Sequence, residues 1–262
     1  MPLAFALLGW ITGIVINLLS DQLPGRSALG APRCDRCGAP RPAWAWSGML
    51  GKLTAADRCV YCGTVRRARA AMVELGLAGG FLWLEAGHAP GRALVSALVL
   101  SVFVLFAVID IEHRLVLHVV SLPAAAVMAL VGVLDPARGP AKTLLGGAAG
   151  AAIVFLMYLG GIGFSRLMAR WRGEELEEVA FGFGDVTLAA VVGLVVGWPG
   201  VIPALVVGVL SAGAYSALFL LASLLRRRYV AFTPIPYGPF LILGALTVYF
   251  GWFTEVVRAG SG

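Results

Sequence analysis

The chain has 262 residues, 60% of them hydrophobic and 13% charged, with 34 glycines and a formal net charge of +6. A water-soluble core of this length has no way to hide so much apolar surface, so the composition excludes an ordinary soluble domain. Glycine at this frequency agrees instead with helices in lipid, where small residues let backbones approach closely.

Crossing about 30 Å of hydrocarbon takes about 20 apolar residues, and the hydropathy pattern predicts eight such runs, at 2–19, 70–87, 92–110, 115–134, 143–165, 183–199, 201–225 and 235–254. The first has no basic n-region and no small-residue cleavage site before Ser20, so it is expected to be a retained span rather than a signal peptide. Gly and Pro punctuate the joints, at Pro90-Gly91, Pro136, Pro140 and Pro199-Gly200. The expected division is a first transmembrane helix (1–20), a four-cysteine loop domain (21–69), a seven-helix membrane core (70–254) and a short tail (255–262). The fold class that follows is an all-α membrane protein of about eight transmembrane helices with a small zinc-ribbon-like cytoplasmic loop domain.

Orientation follows from the basic residues, because cytoplasmic loops retain positive charge. With eight spans, 16 of the 20 Lys and Arg fall on one side: nine in the first loop, then Arg114, then Arg166, Arg170 and Arg172, then Arg226, Arg227 and Arg228. The other side receives only Arg92, Arg138, Lys142 and Arg258. This predicts a cytoplasmic four-cysteine loop and both termini outside. The arginine clusters are expected against anionic lipid headgroups and not against nucleic acid.

Ionisable groups at span edges are costly to insert and mark function. Asp110 closes the third span in Phe106-Ala-Val-Ile-Asp110, and Asp185 opens the sixth in Phe181-Gly182-Phe183-Gly184-Asp185. The derived orientation puts both at the cytoplasmic ends of their helices. Two carboxylates that converge there divide their work, one holding a proton and the other acting as base, which suits hydrolysis of a peptide bond. Gly182 and Gly184 are expected to let the chain before Asp185 bend and substrate backbone approach. Two other readings stay open on the residues alone: Asp185 as a helix cap with Asp110 interfacial, or a transporter using both acids as a proton or cation site.

The first loop contains Cys34-Asp-Arg-Cys37, then 21 residues, then Cys59-Val-Tyr-Cys62, and these are all four cysteines of the chain. Two paired thiols offer the tetrahedral all-sulfur set that Zn²⁺ prefers. A disulfide pair is the alternative, and cytoplasmic placement argues against it. Such a zinc would be structural, since four ligands leave no open position.

In this order the motifs resemble a type IV prepilin peptidase, the GxGD-type aspartic membrane protease. Gly9-Trp-Ile-Thr-Gly13 through Asn17 and Leu23-Pro24 is similar to the family's opening, Arg69 to Glu74 resembles its Arg-Tyr-Pro-x-x-Glu stretch although Tyr and Pro are absent, and Pro236-Tyr-Gly-Pro-Phe240 resembles its Pro-Phe-Gly-Pro-Phe. The resemblance implies a protein of the cell inner membrane in which Asp110 and Asp185 are catalytic in a protease core spanning 70–254, and Cys34, Cys37, Cys59 and Cys62 of the cytoplasmic loop bind metal. It further implies a prepilin or pseudopilin precursor as partner, cut after Gly and before Phe behind a basic leader, then N-methylated with S-adenosylmethionine. A peptidase without methylation is the runner-up. Two departures stand out: Thr187 where the family often has Lys, and Leu117-His118 where it often has Pro-Asp. His118 is considered as a partial substitute for that Lys. Glu74, just inside the second span, is a candidate for a substrate or methyl-transfer role, with a capping acid as the alternative. The acidic run Glu174, Glu175, Glu177 and Glu178 reads as a solvated face, or else as an attractor of the basic leader.

Overall fold

A computed structural model describes residues 1–25, 30–34, 36–42, 45–54, 57–172, 182–226 and 236–251, the side chains of 168–172 excepted. Among them nine helices form, and no strand: α1 (Pro2–Gln22), α2 (Gly48–Leu53), α3 (Arg69–Gly87), α4 (Pro90–His113), α5 (His118–Leu134), α6 (Gly139–Arg172), α7 (Phe183–Val196), α8 (Val201–Leu225) and α9 (Gly238–Tyr249). The acidic run at 174–178, Arg26, Arg227, Arg228, Trp252 and the tail lie outside the described residues.

Eight of these helices fall on the eight apolar runs, but their lengths differ from the sequence expectation. Five are long and apolar enough to cross a membrane: α1, α3, α4, α6 over Gly139–Leu167, and α8. Helices α5, α7 and α9 are apolar but shorter, with 17, 14 and 12 residues. At 1.5 Å per residue, α7 rises only about 21 Å. It ends at Gly197, whose left-handed φ of 69° halts the helix before Val201 opens α8.

The chain forms two compact units, Met1–Ile109 and Asp110–Gly262. In the first, α1 lies against α3 through Gly9 and Gly13: a Cβ on Gly13 would sit 2.6 Å from the Glu74 Cα, and one on Gly9 would meet the Leu77 carbonyl at 2.5 Å. This is close backbone packing, with Phe5, Ile16, Leu77, Phe81 and Leu84 buried beside it. In the second unit α7 is the central helix, in contact with α5, α6, α8 and α9. Its Val186, Leu188, Ala189 and Val191 to Val195 are all buried. A Cβ on Gly193 would collide with the Gly146 carbonyl of α6, and one on Gly244 of α9 with the Ala204 carbonyl of α8. These glycines let helices cross at close range, where lipid gives no hydrophobic drive and dispersion contacts must hold the bundle.

Candidate functional site

In the second unit, Asp110 stands on the last turn of α4 and is 6% exposed. The helix stops four residues later because Arg114 adopts a left-handed φ of 53°, its N–H bonded to the Asp110 carbonyl at 2.8 Å. The Asp110 carboxylate accepts the Gly238 N–H at 3.0 Å. Asp185 is half-buried in the first turn of α7, and its Oδ2 accepts the Gly182 N–H at 3.0 Å. Gly182 has no side chain to return the bond, so this is the acidic half of a capping box. The two carboxylates are near enough for the charge on Asp185 to act on Asp110, and it reaches Tyr237 beside Gly238 as well. Glu112, two residues from Asp110, is more exposed.

The glycines around Asp185 work differently from the sequence expectation. Neither has a positive φ; Gly182 is extended (φ −85°, ψ 157°), a conformation open to any residue. Gly184 is required by packing: a Cβ there would lie 2.7 Å from the Val116 Cβ. Val116 belongs to the connection after Asp110, so this contact seats the Asp110 segment against the Gly-Phe-Gly-Asp turn. Phe183, between the glycines, stacks on His118 (centroids 6.1 Å apart, planes at 13°) and meets Tyr158 edge-on at 6.5 Å. His118 therefore packs on the turn through its ring face. Thr187 bonds its hydroxyl to the Gly184 carbonyl at 2.8 Å, within its own helix.

In the first unit the two Cys-x-x-Cys pairs fold alike. The amides of Gly38 and Gly63 bond to the carbonyls of Cys34 and Cys59 at 2.8 and 2.9 Å, and both glycines take a left-handed φ, 70° and 69°. Isolated bridges Arg33–Pro40 and Arg58–Val65 close each turn. The Gly after each second cysteine was the legible signal for this turn. The four thiols are free, with Cys34 and Cys62 sulfurs 3.6 Å apart, Cys37 and Cys59 3.5 Å apart, and all within 4.8 Å. Four sulfurs at about 2.3 Å from a tetrahedral Zn²⁺ stand about 3.8 Å from one another, so the cluster fits that ion. The Thr64 hydroxyl and amide hold Cys62 down to about 6, and the amides of Cys62 and Tyr61 hold Cys59 below the usual thiol value. At Cys37 the Ala39 amide pulls downward, but burial and the neighbouring sulfurs outweigh it and push the thiol up to about 12.

Glu74 is completely buried in α3, and its carboxylate is met by five donors. Oε2 accepts from Trp10 Nε1 at 3.1 Å, from the Met49 amide at 3.1 Å and from the Ser47 hydroxyl. Oε1 accepts from the Gly48 amide at 2.6 Å and from Asn17 Nδ2 at 3.3 Å. Ser47 also caps α2 by accepting the Leu50 N–H at 3.1 Å. Glu74 thus ties α2, in the loop between the cysteine pairs, to α1 and α3. Asn17 was legible only as part of a motif, and Ser47 carried no signal in the sequence.

The two units together define a helical membrane protein with a four-thiol cluster and, in the second unit, an aspartate pair at helix ends beside a Gly-x-Gly-Asp turn. The family model for the type IV leader peptidase family matches residues 97–225, which contain both aspartates. The chain is 30% identical over 237 residues to a prepilin leader peptidase/N-methyltransferase of Burkholderia pseudomallei (strain 1026b), covering 88% of this chain and 71% of that protein. It is 29% identical over 241 residues to the like-named protein of Aeromonas salmonicida (88% and 78% covered), and 26% over 291 residues to that of Pseudomonas aeruginosa (98% and 93%). No solved structure matches it. The chain belongs to the type IV leader peptidase family.

Proposed function

We propose that this chain is a membrane aspartic endopeptidase that removes the basic leader of a prepilin or pseudopilin precursor, after Gly and before Phe. It then N-methylates the new terminus. The observation that carries the reading is the aspartate pair itself: buried Asp110 within electrostatic reach of Asp185, in a chain of this family.

In this proposal one carboxylate is ionised and takes a proton from water as the water oxygen attacks the scissile carbonyl. The other is protonated and gives its hydrogen to the carbonyl oxygen. When the tetrahedral adduct collapses, that hydroxyl proton returns to its carboxylate and the C–N bond breaks. The proton first taken from water passes to the departing amine, which becomes the mature N-terminus. The closely packed turn at Gly184 and Val116 holds Asp185 where this exchange needs it.

Cys34, Cys37, Cys59 and Cys62 would hold Zn²⁺, which supplies a structural cross-link of the loop when bound. S-adenosylmethionine supplies the methyl group when bound. Glu74, considered for that transfer, is completely buried and accepts from five protein donors, and no step is routed through it here. All eight apolar helices are read as membrane segments of the cell inner membrane, with the four-cysteine loop cytoplasmic and both termini outside; the sorting of Lys and Arg supports this. Membrane lipids and the precursor's hydrophobic helix are the expected neighbours.

The test is co-expression with a prepilin-like substrate, followed by the mass of the mature N-terminus. Leader removal with one added methyl group is expected. A processed but unmethylated product would reduce the proposal to a peptidase, and an intact precursor would end it.

A further inference from the structure

Asp110 and Gly238 are 128 residues apart in sequence, yet the amide at the head of α9 reaches the Asp110 Oδ2 at 3.0 Å in a buried setting. This is the one hydrogen bond that the carboxylate makes among the described residues. The approach leaves no room for a side chain: a Cβ on Gly238 would lie 2.7 Å from Oδ2, 3.1 Å from Cγ of Asp110 and 3.3 Å from Cδ2 of Leu188 in α7. The backbone at Gly238 is not left-handed, so glycine is required by this contact and not by conformation. Pro239 follows within the first turn of α9, where its missing N–H costs nothing and its fixed φ stiffens the turn that presents the amide.

We propose that Gly238 is a positioning residue for Asp110: its amide fixes the rotation of the carboxylate and occupies Oδ2, leaving Oδ1 to meet water or the scissile carbonyl. The inference rests on the aspartic-peptidase reading and adds a third segment, the head of α9, to the two that carry the aspartates. A carboxylate with one oxygen tethered loses its freedom to rotate, and about 1 Å of misplacement at a reacting group costs about 100-fold in rate. Tyr237, which feels the Asp185 charge, places the same head of α9 beside both acids.

The experiment uses the full-length chain in lipid with a prepilin peptide that includes leader and membrane helix. Two variants are compared, Gly238→Ala and an ester in place of the Tyr237–Gly238 amide, which removes the N–H without adding an atom. Each is read by kcat, by KM and by the isotope-edited infrared carboxylate band of Asp110, identified as the band lost in Asp110→Asn. The proposal expects kcat to fall by about 100-fold with KM within about twofold, and the Asp110 band to move in both variants. A band unmoved in the ester variant overturns it, whatever happens to the rate, because the amide is then not on the carboxylate. A moved band with kcat within about threefold overturns the positioning role. If the wild-type chain fails to cleave, the peptidase reading falls, while the band still decides whether Gly238 holds Asp110.

Discussion

Replacing Glu74 by Gln keeps the shape of the side chain and exchanges one acceptor oxygen for an amide that donates. The donors divide three on Oε2 (Trp10, Ser47, Met49) and two on Oε1 (Asn17, Gly48). Whichever oxygen survives, at least two buried donors face an NH₂ and lose their acceptor. Each unsatisfied buried group costs about 1–3 kcal/mol, so the loss at the α2 junction is at least about 2 kcal/mol. Every 1.4 kcal/mol is tenfold in an equilibrium, so local opening rises by about 30-fold. Hydrogen exchange at the Gly48 and Met49 amides reads this directly, with α8 amides as an internal control. Exchange at both should accelerate by about that factor in Glu74→Gln, and by more in Glu74→Ala, while the control stays fixed. Unchanged exchange at Gly48 and Met49 in a folded Glu74→Gln protein would refute the reasoning.

Other outcomes follow from the same geometry. Gly184→Ala should impair cleavage because its Cβ would lie 2.7 Å from that of Val116, and Val116→Gly in the same chain, which removes that Cβ, should restore part of the loss; a rate assay on the single and double variants checks this. Gly193→Ala and Gly244→Ala collide with backbone and should lower the midpoint of detergent unfolding, whereas Gly79→Ala and Gly160→Ala, with nothing within 4 Å, should leave it in place. Zinc binding requires thiolates. With Cys62 held down to about 6, its thiolate is present above that pH, so zinc affinity should fall as pH drops through it, by about tenfold per pH unit for each thiol that protonates. Competition with a chromophoric chelator measures that slope, and a flat profile contradicts four-thiolate binding.

The sequence made the large features legible because each is written in a local pattern. Apolar runs located α1, α3, α4 and α8 to within about three residues and α6 to within seven, and Cys-x-x-Cys twice over announced the thiol cluster. What stayed hidden depends on contacts between distant segments. Helix α2 has only six residues and no apolar run; it forms where Ser47 caps it and Glu74, 26 residues on from Gly48, receives its first amides. The role of Gly238 was invisible for the same reason, its partner lying 128 residues away. The glycines before Asp185 suggested backbone freedom, because a sequence shows that glycine is present and not whether φ or a neighbour demands it. Asp185 could be singled out by its turn, but its electrostatic reach to Asp110 depends on the segment after Asp110 packing against that turn, Val116 on Gly184.

The central claim is that Asp110 and Asp185 together hydrolyse the leader peptide bond. Purified wild-type chain, Asp110→Asn and Asp185→Asn, each reconstituted in lipid and checked for an intact four-thiol cluster, are to be timed on one prepilin substrate. Cleavage by the wild type is expected, with a fall of at least about 100-fold in kcat for each variant, since general acid–base steps contribute about 10²–10⁴-fold each. Cleavage surviving at near wild-type rate in either variant would contradict the claim.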